Sequence, residues 1–259
     1  MEWKKVKWLI IALLLAVNVF LGINIAVRYS TAVTHEKADL LSSLTLVDSE
    51  LDFTFSQFND LPRYLYSFFG IRNLEAEESL STKFMGEDFD SQEKGGGVYL
   101  YSLPSKERLI FRRGGALEGI VPAPQEDAAK LLSDFFSSHK MTFSENDKLF
   151  TFSYEDTPIS NASVSYLVTG NYLSISGRIP LSQKWEKQEK SRSRSEMVLA
   201  LAQAMKDNDM GSLVKVEAVY FLESKGTSDL HLTPAWLAQC SNGNITVSIM
   251  DKSVLAVEK

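Results

Sequence analysis

Histidine, cysteine and paired acids are the side chains that could do chemistry here, and their spacing does not favour it. The three histidines, His35, His139 and His231, lie far apart. A zinc hydrolase needs two on one helix face with a glutamate between them, and His35-Glu36 lacks the second histidine. Cys240 is the only cysteine, which excludes a disulfide framework and a cysteine-rich metal site. It falls in a predicted strand, where a buried structural thiol is a better reading than a nucleophile. Gly95-Gly96-Gly97 lacks the following Lys-Ser/Thr of a phosphate-cradling loop, and no G-x-S-x-G elbow occurs. Asp48, Glu50 and Asp52 alternate with apolar residues and read as the solvated edge of a strand. Any two carboxylates could still meet in space as a glycosidase pair, which one sequence does not reveal. The expectation is a protein that is not an enzyme, with no catalytic residue, metal or cofactor.

The informative polar residue lies in an apolar run from Trp8 to Val27, interrupted only by Asn18, Gly22 and Asn24. Twenty residues at 1.5 Å each span roughly 30 Å, enough to cross a bilayer core. Near its midpoint the Asn18 amide is costly in hydrocarbon unless it finds a partner. Gly22 and Ala26 follow at four-residue steps on nearly the same face. Asn18, Gly22 and Ala26 therefore form a small-residue seam expected to pack against another transmembrane helix; bonding of Asn18 to its own helix is the equal alternative. Lys4, Lys5 and Lys7 precede the run and Arg28 follows it, which keeps the N-terminus cytoplasmic and sends the rest across. A cleaved signal sequence would have a shorter apolar region, and Ser30-Thr31-Ala32 is a mediocre cleavage site. A buried core helix of this length would carry a polar stripe.

Of 27 basic and 33 acidic residues, four basic and one acidic belong to the N-terminal segment, so the exported part carries about −9. Nucleic acid, anionic lipid and other polyanions are poor ligands for such a surface. With 44% hydrophobic residues, the ectodomain is able to bury a core without disulfides. Asn161-Ala162-Ser163 and Asn244-Ile245-Thr246 match the glycosylation sequon, a pattern that also arises by chance.

The elements that would position any site read as α+β. Ala38, Leu41 and Leu44 continue the anchor as a stalk helix, and Leu51 to Phe58 alternates partly as a strand. Gly86 to Gly97 reads as a mobile loop or hairpin tip, and Val98 to Leu103 and Arg108 to Arg112 as strands. After the Pro122–Pro124 boundary comes an amphipathic helix from Gln125 to Ser138, then strands Lys148 to Tyr154, Ser163 to Thr169 and Tyr172 to Ile179. Lys184 to Arg194 reads first as a solvated inter-module helix or linker and second as a docking surface for an acidic partner. Ser195 to Lys206 is a second helix, followed by strands Val214 to Leu222, Ala235 to Cys240, Ile245 to Met250 and Val254 to Val257. Pro234-Ala235-Trp236 reads as a packing element. This predicts a cytoplasmic tail (1–7), a transmembrane helix (8–28), a stalk with a first α+β module (29–122), and tandem helix-plus-antiparallel-sheet modules at 123–190 and 191–259.

Met1-Glu2-Trp3 with lysines running into an asparagine-bearing membrane helix, the stalk Leu40-Leu41-Ser42-Ser43-Leu44, and Leu232-Thr233-Pro234-Ala235-Trp236 before Gly243 and a final hairpin recur in one known layout. In these features the chain resembles the YycI (WalI) family of Gram-positive bacteria, membrane-anchored regulators of the essential cell-wall two-component system. Family members usually have aspartate where this chain has Glu2, a swap that keeps the charge. The resemblance implies an extracytoplasmic YycH/YycI-like α+β fold. It also implies complexes with a YycH-like companion and with the transmembrane region of a sensor histidine kinase, which would give Asn18, Gly22 and Ala26 their purpose. The alternative is an anchored module that binds a peptide, a protease or a cell-wall precursor.

Overall fold

In the computed structural model, residues 3–124 and 127–259 are described, the side chains of residues 4, 5, 9 and 29–33 excepted. The opening Met1-Glu2 and the predicted helix start at Gln125 lie outside this set, as do the side chains of Lys4, Lys5 and Tyr29. Helix α1 runs unbroken over Trp3–Leu44, roughly 63 Å at 1.5 Å per residue. Its stretch Val6–Arg28 is long and apolar enough to cross a membrane and buries none of its surface in the protein. The predicted stalk is thus the same helix as the anchor.

Leu51 to Phe58 is not a strand. It forms a 3-10 turn over Ser49–Leu51 and the short helix α2, Phe55–Asn59. Leu51 and Phe58 are both buried, a spacing that suits helical turns. Gln57 accepts from the Thr54 backbone N–H at 2.7 Å and so caps the helix start. Asp48 accordingly caps the 3-10 turn, and Asp52 is left-handed at its end, so neither edges a strand.

Strand β1 (Tyr66–Arg72), helix α3 (Leu74–Met85), strands β2 (Asp90–Glu93), β3 (Tyr99–Ser102), β4 (Arg108–Phe111) and β5 (Ala116–Pro122), and helix α4 (Ala128–Ser138) follow. Next come β6 (Thr142–Asn146), β7 (Leu149–Tyr154), β8 (Thr157–Thr169), β9 (Tyr172–Arg178), β10 (Ser182–Lys190), helix α5 (Arg194–Asp207), β11 (Leu213–Glu223), β12 (Asp229–Cys240), β13 (Gly243–Ser248) and β14 (Val254–Glu258). Lys184 to Arg194, expected as a solvated helix or linker, is mostly β10. Among the described residues it pairs only with β1, and five charges in nine residues suit an exposed edge that must resist further pairing.

The strands form one large open sheet, in the order β10-β1-β12-β11-β8-β9-β5-β4-β3-β2, with β13 and β14 continuing from β12 and β6 and β7 from β8. The tandem modules do not stand apart: β1, from the first predicted module, pairs with β10 of the second and β12 of the third. Continuity rests on β8, which meets β11 in parallel at Ile159↔Tyr220 and β9 in antiparallel from Val164 to Thr169. Where the strands diverge, the Asn161 amide takes the place of a backbone rung. Its Oδ1 accepts from Leu222 N–H at 2.7 Å and its Nδ2 donates to Leu222 O at 3.0 Å. That amide is committed to the seam, so its sequon match has a structural explanation.

Two apolar cores underlie the sheet. One, beneath α3 and α4, gathers Leu80, Phe84, Leu132, Phe135, Phe136, Phe150 and Tyr220; the other, beneath α1, α2 and α5, gathers Leu40, Phe58, Met197, Leu201, Met205, Trp236 and Val247. Trp236 packs as expected, its ring 5.5 Å from that of Phe58.

A buried ion pair ties the first core together. Arg72, at the end of β1, and Glu77, in the first turns of α3, are 3% and 1% exposed. Arg72 Nη2 donates to Glu77 Oε2 at 2.8 Å while Nε donates to Oε1, and Nη1 donates to the carbonyl of Gly97 at the β2–β3 hairpin tip. Gly97 has φ +76°, and an added Cβ would lie 2.6 Å from Thr227 O, so this approach needs glycine. Burial pushes the Glu77 carboxyl up, against the pull of Arg72. The same burial, with the Glu77 charge, pushes Tyr101 up to about 12. Removing one partner of such a pair leaves an uncompensated buried charge. Arg72→Met is expected to cost about 3–5 kcal/mol in urea unfolding of the detergent-solubilised chain, with much of it recovered in Arg72→Met/Glu77→Leu. A single-variant cost under about 1 kcal/mol would remove this role.

Candidate functional site

Asn18, Gly22 and Ala26 advance about 40° per step around α1 and are all exposed. An added Cβ at Gly22 would meet no atom within 4 Å. Among the described residues no hydrogen bond engages the Asn18 side chain, whereas Asn24 Nδ2 donates to Phe20 O at 2.9 Å. The three seam residues share a face, and among the described residues no other element covers it.

What the sequence reading missed is how the other end of this helix is held. Glu36 lies one turn before Leu40 and two before Leu44, on the face of α1 that packs against α5. It is 8% exposed and lies between two arginines. Arg194 Nε donates to Glu36 Oε1 at 2.9 Å, with Nη2 at 2.8 Å from the same oxygen. Arg63 Nε sits 2.6 Å from Oε2, in an ion pair not aligned as a hydrogen bond. Arg194 also donates through Nη1 to the carbonyls of Asn59 at 2.8 Å and Leu61 at 3.1 Å. One guanidinium at the start of α5 thereby joins α1, the exit of α2 and the chain leading into β1. Beyond the end of α1, Lys206 Nζ reaches Asp48 Oδ2 at 2.8 Å, an exposed pair of the kind that contributes little. The sequence signal was present in Glu36, Leu40 and Leu44 at four-residue spacing, but only the fold supplies the two distant arginines.

Of the groups first considered for catalysis, His35 is exposed on α1, and the other two histidines are otherwise engaged. The His139 ring lies 2.9 Å from Phe135 O, and His231 Nε2 lies 3.0 Å from Asp229 Oδ2 with no hydroxyl or thiol bonded to its ring among the described residues. No group of three histidine, cysteine or acidic side chains could hold a metal among the described residues. Burial pushes the Cys240 thiol up to about 11, and its S–H faces Ala238 O. A groove of about 440 Å³ between the α4–β6 turn and the start of β10 is walled by Tyr154 and Trp185, with His139, Lys140, Glu155 and Lys184 at its rim.

No family model matches the chain, and no curated protein matches it in sequence. An uncharacterized protein from Eubacterium rectale ATCC 33656 is 10% identical, with 76% of this chain and 87% of that one covered at a TM-score of 0.46. The C-terminal domain of YpeB from Bacillus megaterium is a weaker structural neighbour, 13% identical, covering 73% of this chain and 98% of its own at a TM-score of 0.31. At these scores neither likeness bears on activity.

Glu36→Ala strands two arginines and is expected to cost about 3 kcal/mol and to speed amide hydrogen exchange over residues 36–44 selectively. Unchanged exchange there would show that apolar packing alone holds the junction. At pH 7 the raised thiol leaves Cys240 roughly 100-fold less ionised than a thiol at its ordinary value, so maleimide labelling of the folded chain should be correspondingly slow and should recover on denaturation. Labelling equally fast before and after denaturation would contradict the burial.

Proposed function

We propose that this chain is a non-enzymatic accessory regulator of a membrane sensor histidine kinase, of the kind that its resemblance to the YycI family implies. Helix α1 would anchor it once through the cell membrane, with the N-terminus cytoplasmic and the folded part outside. The observation that carries the reading is the unbroken α1. One end leaves the Asn18–Gly22–Ala26 face bare within the span, and the other is clamped to the ectodomain at Glu36. A helix held in this way transmits a displacement of the ectodomain, or of a YycH-like companion bound to it, to whatever packs on the seam.

Such coupling requires that the kinase contact the seam differently in its two states, since a contact equal in both shifts nothing. Small residues let helix backbones approach closely, and an asparagine at the interface finds its partner there rather than in lipid. The second reading is an anchored module that binds a peptide, a protease or a cell-wall precursor. The Tyr154–Trp185 groove favours it, since aromatic walls with a polar rim suit an amphipathic ligand.

Photoreactive residues at positions 18, 22 and 26 in native membranes test the first reading, with Leu13 and Phe20 as the opposite-face control. Crosslinks to a kinase or companion helix from the seam alone are expected. Lipid adducts from both faces would reduce α1 to a tether and leave the groove as the place to seek a ligand.

A further inference from the structure

The clamp also decides which end of the ectodomain faces the bilayer. Arg194, the first residue of α5, joins Glu36, and Lys206, in the last turn of α5, joins Asp48 beyond the end of α1. The two helices therefore run in the same direction, and the start of α5 is the membrane-proximal end. At that level lie Asn59 to Leu65, bonded to Arg194 and to Ser191, and the end of β10. Glu36 follows Arg28, the last residue of the candidate span, by eight residues, roughly 12 Å of helix. The headgroup layer takes up about 5–8 Å of that distance, which leaves Arg63 within about one screening length, ~8 Å, of the headgroups.

This end carries a cluster of cations and tyrosines. Lys190 Nζ lies 3.3 Å from the centroid of the Tyr64 ring and Lys187 Nζ 3.4 Å from that of Tyr66, with the Arg63 guanidinium 5.3 Å from Tyr64. A bulge makes the cluster possible. Tyr66 pairs with Lys190 and Phe68 with Lys187, so three steps on β10 oppose two on β1. Both lysines thereby meet the tyrosines on one face, whereas Gln188 and Glu189 line a groove with Ser67, Phe69 and His231. Of the acids nearby, Glu36 is held between its arginines and Glu196 pairs with Arg192, while Asp60, exposed at the exit of α2, is the acid that remains at this level. The net negative charge of the chain does not oppose attraction here, because screening makes the field of a surface local.

We propose that the face formed by Arg63, Tyr64, Tyr66, Lys187 and Lys190 docks on anionic lipid headgroups of the bilayer that α1 spans, and so sets the tilt of the ectodomain against the membrane. Tyrosines favour the interfacial layer, and clustered lysines and arginines beside a membrane span are drawn to anionic lipid. The proposal rests on α1 being the anchor, which resistance to alkaline extraction from liposomes tests separately.

The experiment is amine footprinting of the full chain in nanodiscs of phosphatidylcholine with and without phosphatidylglycerol, read by mass spectrometry at Lys187 and Lys190, with Lys148 and Lys215 as references. Acylation of the first two is expected to slow roughly fivefold in the anionic discs and to recover at high salt, while the references do not change. Arg63→Gln should weaken the protection at both lysines. Equal rates in the two lipids, slowing shared by Lys148 and Lys215, or protection that persists at high salt would each overturn the proposal.

Discussion

A single carboxylate, Glu36, joins α1, whose apolar stretch is long enough to cross a membrane, to the rest of the fold. The packing of α1 against α5 buries Leu40, and a leucine side chain contributes only about 2 kcal/mol on burial. That is too little to orient a helix of forty-two residues. The carboxylate adds direction. Arg194 approaches from α5 and Arg63 from the chain entering β1, and Arg194 is itself fixed by the carbonyls that close α2. Rotation of α1 about its axis would break both ion pairs at once and leave three buried or half-buried charges uncompensated. The clamp therefore fixes the rotation of α1, and with it the direction in which Asn18, Gly22 and Ala26 point.

The same economy of long-range polar contacts runs through the sheet. Two apolar cores lie under different helices and share β11 and β12, which give Tyr220, Leu222, Leu230 and Leu232 to one and Val216, Trp236 and Ala238 to the other; β8 meets β11 at one parallel rung, reinforced by the Asn161 amide on Leu222. Arg72 and Glu77 do similar work in the first core, tying β1, α3 and the β2–β3 tip into one unit. In each case a side chain from another element satisfies a backbone or charged group that burial would otherwise leave stranded. Such contacts specify one arrangement of elements that apolar packing alone leaves open.

If α1 spans a membrane as proposed, contacts on the seam would depend on the rotation of α1, and the proposed headgroup contacts on its tilt. A change in one would alter the other, because the clamp makes α1 and the folded part a single body at their junction. The β1–β10 edge and the start of α5, which look like a charged linker in the sequence, sit where those movements meet.

The sequence alone determined the apolar span, the amphipathic helices α4 and α5, and the strands from β11 to β14, because in each a local period of residue types matches the period of the element. It also placed Asn18, Gly22 and Ala26 on one face, a matter of helical spacing alone. It missed β1, where Phe68 and Phe69 break the alternation, and α3, whose buried stripe is interrupted by Glu77 and Ser81. It misread β10 because charges on an edge strand mimic those of a linker. The Glu36 clamp, the Arg72–Glu77 pair and the merging of the predicted modules into one sheet were decided only by the tertiary structure. Each depends on side chains separated along the chain, from five residues for Arg72 and Glu77 to 158 for Arg194 and Glu36. Whether a buried charge finds its counterpart is a property of where strands cross in space, and no local pattern records it.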